Sequence, residues 1–438
     1  MLDFGRSDDP RVQAQLDRLA ALSVPQGRLG LETIRALMER LGNPHRKLPP
    51  VFHVAGTNGK GSVCAFLRAM LEADGKRVHV TTSPHLVRYN ERIRLAGELI
   101  SDEELAATLE EVLDASEGLA PSFFEVTIAA AFLAFSRTPA DACVVEVGLG
   151  GRFDATNVLE PEALAACGIA ALGIDHERFL LAPEEGVPTD PIARIAFEKA
   201  GIAKKGVPLV TMYATYSKQA QAATADTADR IGAPLFRCGL EWHCHEDPNM
   251  DCGLFYCEGA MEFDLPKPAI SGEHQIHNAG LAVAMLRAQS AMSIRFNSVE
   301  NGLLRARWPA RMQRLGNGPL TALASNQTVW LDGGHNPSAG AAIAAHFDGP
   351  LHLVIGMLAN KDPRALTEPL GDRVRSLTVV PVPGHDSHLA EAFGPNARAA
   401  TDLEDALLNV PSDDYPILIA GSLYLAGEAL RLNDEIPD

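Results

Sequence analysis

The sequence lacks the features that would place a chain in a membrane. The uncharged run at positions 163–174 is too short to cross a bilayer, which takes about 20 apolar residues. The first residues also lack the basic segment followed by an apolar one that is typical of a signal peptide. We therefore expect a cytoplasmic protein without a membrane partner.

Positive charge and paired cysteines are scarce as well. The formal net charge is −18, which argues against nucleic acid as a main partner. The seven cysteines, an odd number unevenly spread, suit a reduced chain better than a disulfide framework. One cluster has zinc-ligand residue types without paired Cys-x-x-Cys spacing, so we favour a surface hairpin over a zinc site. The cluster consists of Cys238, His243, Cys244, His245, Cys252 and Cys257.

What the chain does have is the composition of a globular protein. It contains 438 residues, of which 46% are hydrophobic and 21% are charged. This length allows two or three domains, each with a core of its own.

A glycine-rich loop at positions 56–62 is the most informative segment. It reads Gly-Thr-Asn-Gly-Lys-Gly-Ser, follows an apolar strand pattern and precedes an apolar helix face. Backbone N–H groups and the helix dipole favour phosphate at such a turn, and Lys60 adds a cation. The loop departs from the Walker pattern in two positions. Val54 stands where that pattern has its first glycine, and Gly61 stands where it has the serine or threonine whose hydroxyl binds the metal. We predict an ATP site rather than a turn without a ligand.

Strand and helix patterns alternate after this loop, which predicts a parallel sheet covered on both faces. Ligands of such sheets lie at the carboxyl ends of the strands. The predicted fold class is α/β, with a P-loop parallel-sheet ATPase domain over 1–306. A smaller doubly wound, Rossmann-like C-terminal domain follows over 307–438, with Pro309 near the boundary. Its strand-end turns at 332–337 and 421–422 are either one wall of a cleft or ordinary glycine turns.

Three side chains at predicted strand ends have the chemistry of metal ligands. Glu146 interrupts an apolar strand, so it is either a Mg²⁺ ligand or a structural salt-bridge partner. His176 is either a ligand or the cap of the next helix. Ser83 would supply the hydroxyl that the loop lacks, or simply begin a helix.

Basic residues outside the loop allow two interpretations. Lys199 lies in a helical pattern next to an acid, which by itself favours a surface lysine in an ion pair. Arg88, Arg92 and Arg94 follow Ser83 closely. They either bind a carboxylate-bearing substrate or lie on a solvated face.

Taken together, these motifs resemble the folylpolyglutamate synthase/dihydrofolate synthase family of Mur-type ATP-dependent amide ligases. One such motif would be weak, but the series is in register over nearly the whole chain. The matching segments are 56–62, 82–86, 88–93, 146–152, 154–157, 175–176, 198–202, 272–275, 278–279, 308–311, 332–337 and 421–424.

The resemblance implies a reaction and its partners. ATP phosphorylates the carboxylate of a pteroate or folate, and the amine of L-glutamate attacks the acyl phosphate to give an amide, ADP and phosphate. The implied partners are ATP, L-glutamate and dihydropteroate or folate, with two Mg²⁺ ions as cofactors. We expect a monomer.

The resemblance also implies residue roles at the matching positions. The catalytic residues would be Lys60, Lys199 (as a carbamate) and His335. The ATP-binding residues would be Thr57, Asn58, Gly59, Lys60, Gly61, Ser62, Asn278, Arg311 and Asp332. The metal ligands would be Ser83, Glu146 and His176. The substrate-binding residues would be Arg88, Phe124, Asp154, Ala155 and Ser422.

The chain departs from the family pattern in two places. Between His176 and Lys199 the family usually has a Leu-Gly step and a threonine, whereas this chain has the segment 179–186 followed by two prolines. Gly334 stands where alanine is common.

Two other functions fit the sequence less well than the ligase does. A Mur enzyme acting on a cell-wall nucleotide usually has a further N-terminal domain and a Gly-Lys-Thr loop. A P-loop ATPase without ligation would not need the second domain.

Overall fold

Two parallel sheets organise the chain, and each belongs to its own folded unit. The computed structural model describes residues 5–22, 30–246 and 253–438. The first unit contains the described residues of Met1–Pro84, Arg88–Ala269 and Gln275–Arg307. The second unit contains His85–Val87, Ile270–His274 and Trp308–Asp438. The sequence predicts one boundary, whereas two short segments that precede it in the chain also belong to the second unit.

The central sheet of the first unit has the strand order β4-β3-β2-β5-β1-β6-β7-β8. The strands are β1 (Val51–Ala55), β2 (Val78–Thr81), β3 (Ile93–Leu95), β4 (Glu98–Leu99), β5 (Ala142–Glu146), β6 (Leu164–Ile169), β7 (Leu209–Thr211) and β8 (Leu235–Arg237). The six adjacent strands β2-β5-β1-β6-β7-β8 run parallel to one another. At the β2 edge of the sheet, β3 and β4 add antiparallel pairs. Every residue of β1, β2, β5 and β6 is buried, which explains their apolar sequences. The predicted parallel sheet is confirmed.

Helices separate these strands along the chain. They are α1 (Pro10–Ala20), α2 (Glu32–Arg40), α3 (Lys60–Ala73), α4 (Asp102–Ala115), α5 (Phe123–Arg137), α6 (Glu177–Leu180), α7 (Pro191–Ala200), α8 (Lys218–Ile231), α9 (His274–Ala288) and α10 (Phe296–Arg305). The helix after the glycine-rich loop, α3, packs against β1, β2 and β5. Across the described part of the chain, no helix is both long and apolar enough to span a bilayer.

A small antiparallel sheet in the first unit carries the cysteine and histidine cluster. Its strands are β9 (Trp242–Glu246), β10 (Gly253–Glu258) and β11 (Met261–Pro266), with β10 in the centre. Cys244 is buried, whereas His243 and His245 on the same strand are exposed, as strand alternation requires. Within the described ranges, no three His, Cys, Asp or Glu side chains are grouped to hold a metal. Cys244 and Cys257 lie on the antiparallel strands β9 and β10, as the hairpin interpretation predicts, and Cys252 lies outside the described residues.

The second unit has a six-stranded sheet in the order β12-β13-β17-β14-β15-β16, in which only the β12–β13 pair is antiparallel. Its elements are β12 (Gln313–Arg314), β13 (Val329–Asp332), α11 (Pro337–His346), β14 (Leu351–Ile355), α12 (Arg364–Leu370), β15 (Val374–Val379), β16 (Arg398–Ala399), α13 (Leu403–Leu408), β17 (Ile417–Ala420) and α14 (Leu423–Leu432). Ile417 and Ile419 of β17 join one apolar core, and Leu418 and Ala420 join another. Both faces of the sheet are therefore covered, and the predicted separate C-terminal sheet is confirmed.

Candidate active site

Strand pairing brings the predicted site segments of the first unit to one edge of its sheet. β1 pairs with β5 at Val54 and Glu146, and β2 pairs with β5 at Thr81 and Val145. β6 lies along the other side of β1 as far as Ala55. Because these strands are parallel and end nearly level, the segments that follow them emerge together at the carboxyl edge.

The glycine-rich loop is hydrogen-bonded to the segment that follows β6. The amides of Thr57 and Asn58 donate to the carbonyl oxygen of Ala171 at 2.8 and 3.3 Å. The Thr57 hydroxyl donates to the carbonyl oxygen of Gly173 at 2.8 Å. The amides of residues 59–62 begin α3, where the first turn offers them no helical acceptor. These four amides are the ones we expect to meet phosphate.

Two lysines converge on one carbonyl oxygen of this loop. Lys60 Nζ donates to Gly56 O at 3.1 Å, and Lys199 Nζ donates to the same oxygen at 2.9 Å. Lys199 is 4% exposed, so its interpretation as a surface lysine is wrong. Burial, and next the positive charge of Lys60, lower the pKa of Lys199 to about 7. A fraction of this amine is therefore neutral near pH 7.

Glu146 and Ser83 meet where β5 and β2 end. The Ser83 amide donates to Glu146 Oε2 at 3.1 Å, and the Glu146 side chain is buried. Ser83 lies in a turn rather than at the start of a helix, so that alternative is wrong. A carboxylate and a hydroxyl beside a phosphate loop are hard oxygen donors, and they fit a Mg²⁺ ion.

His176 follows a loop and not a strand end. The sequence predicts a strand over 165–174, but β6 ends at Ile169 because the following segment turns to bond with Thr57. His176 precedes α6 without a side-chain cap bond, and its amide donates to Asp175 at 2.8 Å. The contacts described for its ring are with Asp175, so its place among metal ligands stays a prediction.

Three of the residues predicted for the pterin side, Phe124, Asp154 and Ala155, lie at the turn after β5. Asp154 is buried and accepts the amides of Leu149 and Thr156 at 2.8 and 3.0 Å. Burial raises the pKa of its carboxyl. Ala155 is buried next to it. The Phe124 ring is so close to the same turn that a Cβ on Gly148 would lie 2.3 Å from it.

The three arginines that follow Ser83 do not form one solvated cluster. Arg88 is exposed, and its amide donates to the Glu91 side chain at 2.6 Å. Arg92 is buried with its guanidinium 5.4 Å from the Tyr89 ring centroid. Arg94 is also buried, and its guanidinium donates to the carbonyl oxygen of Gly97 at 2.7 Å. The solvated-face interpretation is therefore wrong for Arg92 and Arg94.

Asn278 on α9 lies against the phosphate loop at Gly59. Gly59 has φ +85°, and a Cβ there would lie 2.4 Å from Asn278 Oδ1. The Asn278 amide donates to Gln275 at 2.9 Å, which orients its oxygen toward the loop.

Replacing Gly59 with alanine is expected to raise the apparent KM for ATP about tenfold, since Asn278 and the loop must move apart. Gly75→Ala is the matched control, because Gly75 has φ +82° with no heavy atom within 4 Å of the added Cβ. Both variants incur the backbone strain of a left-handed alanine, about 1 kcal/mol. Initial rates at varied ATP and thermal unfolding separate the two effects. An unchanged KM for ATP in Gly59→Ala would contradict this role of the loop.

In the second unit, the turns after β13 and β17 lie side by side, because Asp332 pairs with Ala420. Asp332 is buried and accepts the amides of Met312 and Gly334 at 2.9 and 2.7 Å. Ser422 is buried and caps α14. Two helix N-termini thus open at one sheet edge, an arrangement that favours anions.

The remaining residues predicted in the second unit are more accessible. Arg311 and His335 are half-buried near this edge. Sequence reasoning missed His385, whose ring stacks on Tyr424 with 3.9 Å between centroids. Tyr424 follows Ser422 by two residues, which places this stack beside a predicted substrate residue.

Sequence reasoning also missed a set of buried and half-buried ion pairs beside Lys199. It joins Arg152, Glu184, Arg194 and Glu198. The members of this set come from three separate segments of the chain, so no local pattern predicts it. The only sequence signal was the acidic Glu198 next to Lys199.

The chain is similar to proteins of known function, both in sequence and in fold. No family model matches the chain. The dihydrofolate synthetase of Saccharomyces cerevisiae is 31% identical over 438 aligned positions, which cover 93% of this chain and 98% of that protein. The dihydrofolate synthase/folylpolyglutamate synthase of Bacillus subtilis is 33% identical, with 91% of this chain and 94% of that protein covered.

Solved structures resemble the chain over almost its whole length. Escherichia coli FolC in complex with DHPP and ADP has a TM-score of 0.83 and 28% identity, and the match covers 97% of both chains. A bifunctional folylpolyglutamate synthase/dihydrofolate synthase with Mn, AMPPNP and L-glutamate bound has a TM-score of 0.82 and 28% identity. That match covers 98% of this chain and 99% of the other.

Proposed function

The chain belongs to the folylpolyglutamate synthase/dihydrofolate synthase family, and from this premise we propose which of its residues perform the reaction. It is an ATP-dependent carboxylate–amine ligase that joins L-glutamate to dihydropteroate, to a folate, or to both. One observation carries the assignment of the catalytic centre. Lys60 and Lys199 both donate to Gly56 O at the sheet edge where Glu146 meets Ser83.

The chemistry requires positive charge at this edge. ATP phosphorylates the substrate carboxylate, and the amine of L-glutamate attacks the acyl phosphate, which releases phosphate and forms the amide. Both reactants of the first step are anions, so the developing charge must be neutralised. Lys60 and the amides of residues 59–62 do this from the protein side.

A divalent cation fits the donors opposite the loop. The relative with Mn and AMPPNP bound supports a divalent metal together with ATP. We assign Mg²⁺ to Ser83, Glu146 and His176, where, when bound, it would offset phosphate charge as a Lewis acid. A second Mg²⁺ ion belongs to the same proposal.

The other predicted residues divide between the two units. In the first unit, Asn278 contacts the nucleotide, and the pterin side consists of Arg88, Phe124, Asp154 and Ala155. In the second unit, Arg311 and Asp332 contact the nucleotide, while His335 and Ser422 form the glutamate pocket. The helix N-termini at that sheet edge would attract the carboxylates of glutamate.

Two measurements test the function. The first is phosphate release from ATP with dihydropteroate or tetrahydrofolate, each with and without L-glutamate. We expect turnover only when all three substrates are present, and glutamate-independent turnover would favour a plain ATPase. The second is product mass, because one added glutamate on pteroate and longer chains on folate distinguish the two ligase activities.

Lys199 is proposed to act as a carbamate. Its amine is buried, its pKa is lowered to about 7, and only a neutral amine attacks CO₂. Carbamylation would replace a second positive charge beside Lys60 with a negative one, which suits a neighbouring metal ion.

Replacing Lys199 with alanine is expected to lower the turnover rate at least about 10²-fold, with partial recovery on adding a short carboxylic acid. The acid would occupy the space of the missing carbamate. Lys218→Ala, an exposed lysine of α8, is the control and should keep full activity. Lack of recovery by acetate or propionate in a folded Lys199→Ala protein would count against the carbamate.

Oligomeric state and location complete the proposal. A monomer of 46.8 kDa is the expected species in sedimentation at assay concentration, and a larger mass would overturn it. A cytoplasmic location stays a prediction.

A further inference from the structure

Four charged side chains form a closed set of ion pairs next to Lys199, here called the ion-pair ring. Arg152 contacts Glu184 at 2.5 Å and Glu198 at 2.8 Å. Arg194 contacts the same two carboxylates at 2.8 and 3.0 Å. The side chains are 5% to 21% exposed, so two positive and two negative charges balance one another largely away from water.

The ring joins three segments of the first unit. Arg152 belongs to the turn after β5, Glu184 to the loop after α6, and the other two members to α7. The backbone reinforces two of these links, since the Arg152 amide donates to Glu198 O at 2.8 Å and Arg194 Nε to Leu180 O at 3.1 Å. Glu184 itself is held through its side chain by both arginines.

Glycines let the turn and the end of α7 pack closely. A Cβ on Gly151 would lie 2.9 Å from Glu198 O, and a Cβ on Gly201 would lie 2.7 Å from Arg152 Cα. Since real Cβ atoms rarely come so near, both positions need glycine here. The last turn of α7 therefore packs closely against the turn after β5, where the predicted pterin-side residues lie.

The position of Lys199 depends on this packing of α7, because Lys199 directly follows Glu198 of the ion-pair ring. Its amine reaches Gly56 O at 2.9 Å, the oxygen that Lys60 also binds. Without Glu184, two guanidinium groups would share the single carboxylate of Glu198, which leaves the ring with a net positive charge. Such an excess of buried positive charge is unfavourable, and both the end of α7 and the lysine amine would shift to relieve it.

We propose that Glu184 is a positioning residue, which closes the ion-pair ring and thereby holds the Lys199 amine at Gly56. The inference rests on the function proposed for Lys199. Glu184 lies in the segment 179–186, where this chain departs from the pattern of the family it resembles. Through its contacts with Arg152 and Arg194, the loop after α6 thus anchors the helix that carries Lys199.

Glu184→Gln tests the proposal, because it removes the charge and keeps the shape. We expect kcat to fall about tenfold or more, with the KM for ATP within about twofold of wild type. Glu184→Asp restores the charge with a shorter reach and should recover part of kcat. Glu111→Gln is the matched control, since Glu111 also binds one arginine, Arg137, through two 2.7 Å bonds. This pair is half-exposed, and its loss should leave kcat and KM unchanged.

A chemical readout separates positioning from activity. Trace acetic anhydride labels neutral lysine amines, and peptide mass spectrometry gives the rate at Lys199 relative to exposed Lys218. We expect this ratio to change at least about threefold in Glu184→Gln and not in Glu111→Gln. An unchanged ratio together with unchanged kcat in folded Glu184→Gln would overturn the positioning role. Full activity of Lys199→Ala would instead overturn the function of the lysine, while the labelling ratio still decides the role of Glu184.

Discussion

Replacing Lys60 with alanine is expected to lower the rate of ADP formation about 10³-fold at saturating substrates. The ammonium group lies at the start of α3 and is held over the loop by Gly56 O at 3.1 Å. The ammonium group is thus held in place before ATP binds. Its positive charge can then stabilise the negative charge that develops during phosphoryl transfer to the carboxylate. Coupled spectrophotometric assay of ADP measures the loss.

The same variant should fold normally. Lys60 is not fully buried, so its truncation leaves no large cavity. Thermal unfolding without ligand should match wild type, whereas the stabilisation that ATP confers should shrink. If Lys60→Ala kept more than a tenth of wild-type turnover, the phosphate-binding role of this lysine would be wrong.

Replacing Glu146 with glutamine is expected to remove most Mg²⁺-dependent turnover, by at least about 10²-fold. The amide keeps the size of the side chain and its acceptor oxygen for Ser83, which lies at 3.1 Å, but it loses the charge that attracts a hard cation. The measurement is turnover across a Mg²⁺ titration, together with direct Mn²⁺ binding.

Glu146→Asp serves as the matched control for charge. It retains a carboxylate at the end of β5 and should recover part of the activity at raised Mg²⁺. Wild-type metal dependence in a folded Glu146→Gln protein would refute the metal assignment and favour a purely structural carboxylate.

The parts of the site that lie near one strand end were predictable from the sequence. Strand β1, the loop and helix α3 follow each other within 23 residues, from Val51 to Ala73, and their patterns are local. Glu146 stood out because a carboxylate in an apolar strand needs a reason. Parallel strands then place their carboxyl ends together, so Ser83 and Glu146 could be expected to meet.

Features that depend on distant partners were not predictable in this way. The ion-pair ring joins Arg152 to Glu184 and Glu198 across 32 and 46 positions, and no spacing rule connects them. Burial of Lys199 follows from the packing of α7, whereas its neighbouring acid indicated a surface pair. The strand predicted over 165–174 ends early, because Thr57 of the glycine-rich loop donates hydrogen bonds to the carbonyl oxygens of Ala171 and Gly173.

Transfer of an isotope from the substrate to phosphate tests the central claim most directly. Dihydropteroate labelled with ¹⁸O in its carboxylate is incubated with the protein, ATP, Mg²⁺ and L-glutamate, and the released phosphate is analysed by mass spectrometry. If this edge of the sheet activates the carboxylate as an acyl phosphate, each phosphate released with amide formation carries one ¹⁸O atom. Unlabelled phosphate formed in step with the glutamyl product would contradict the account.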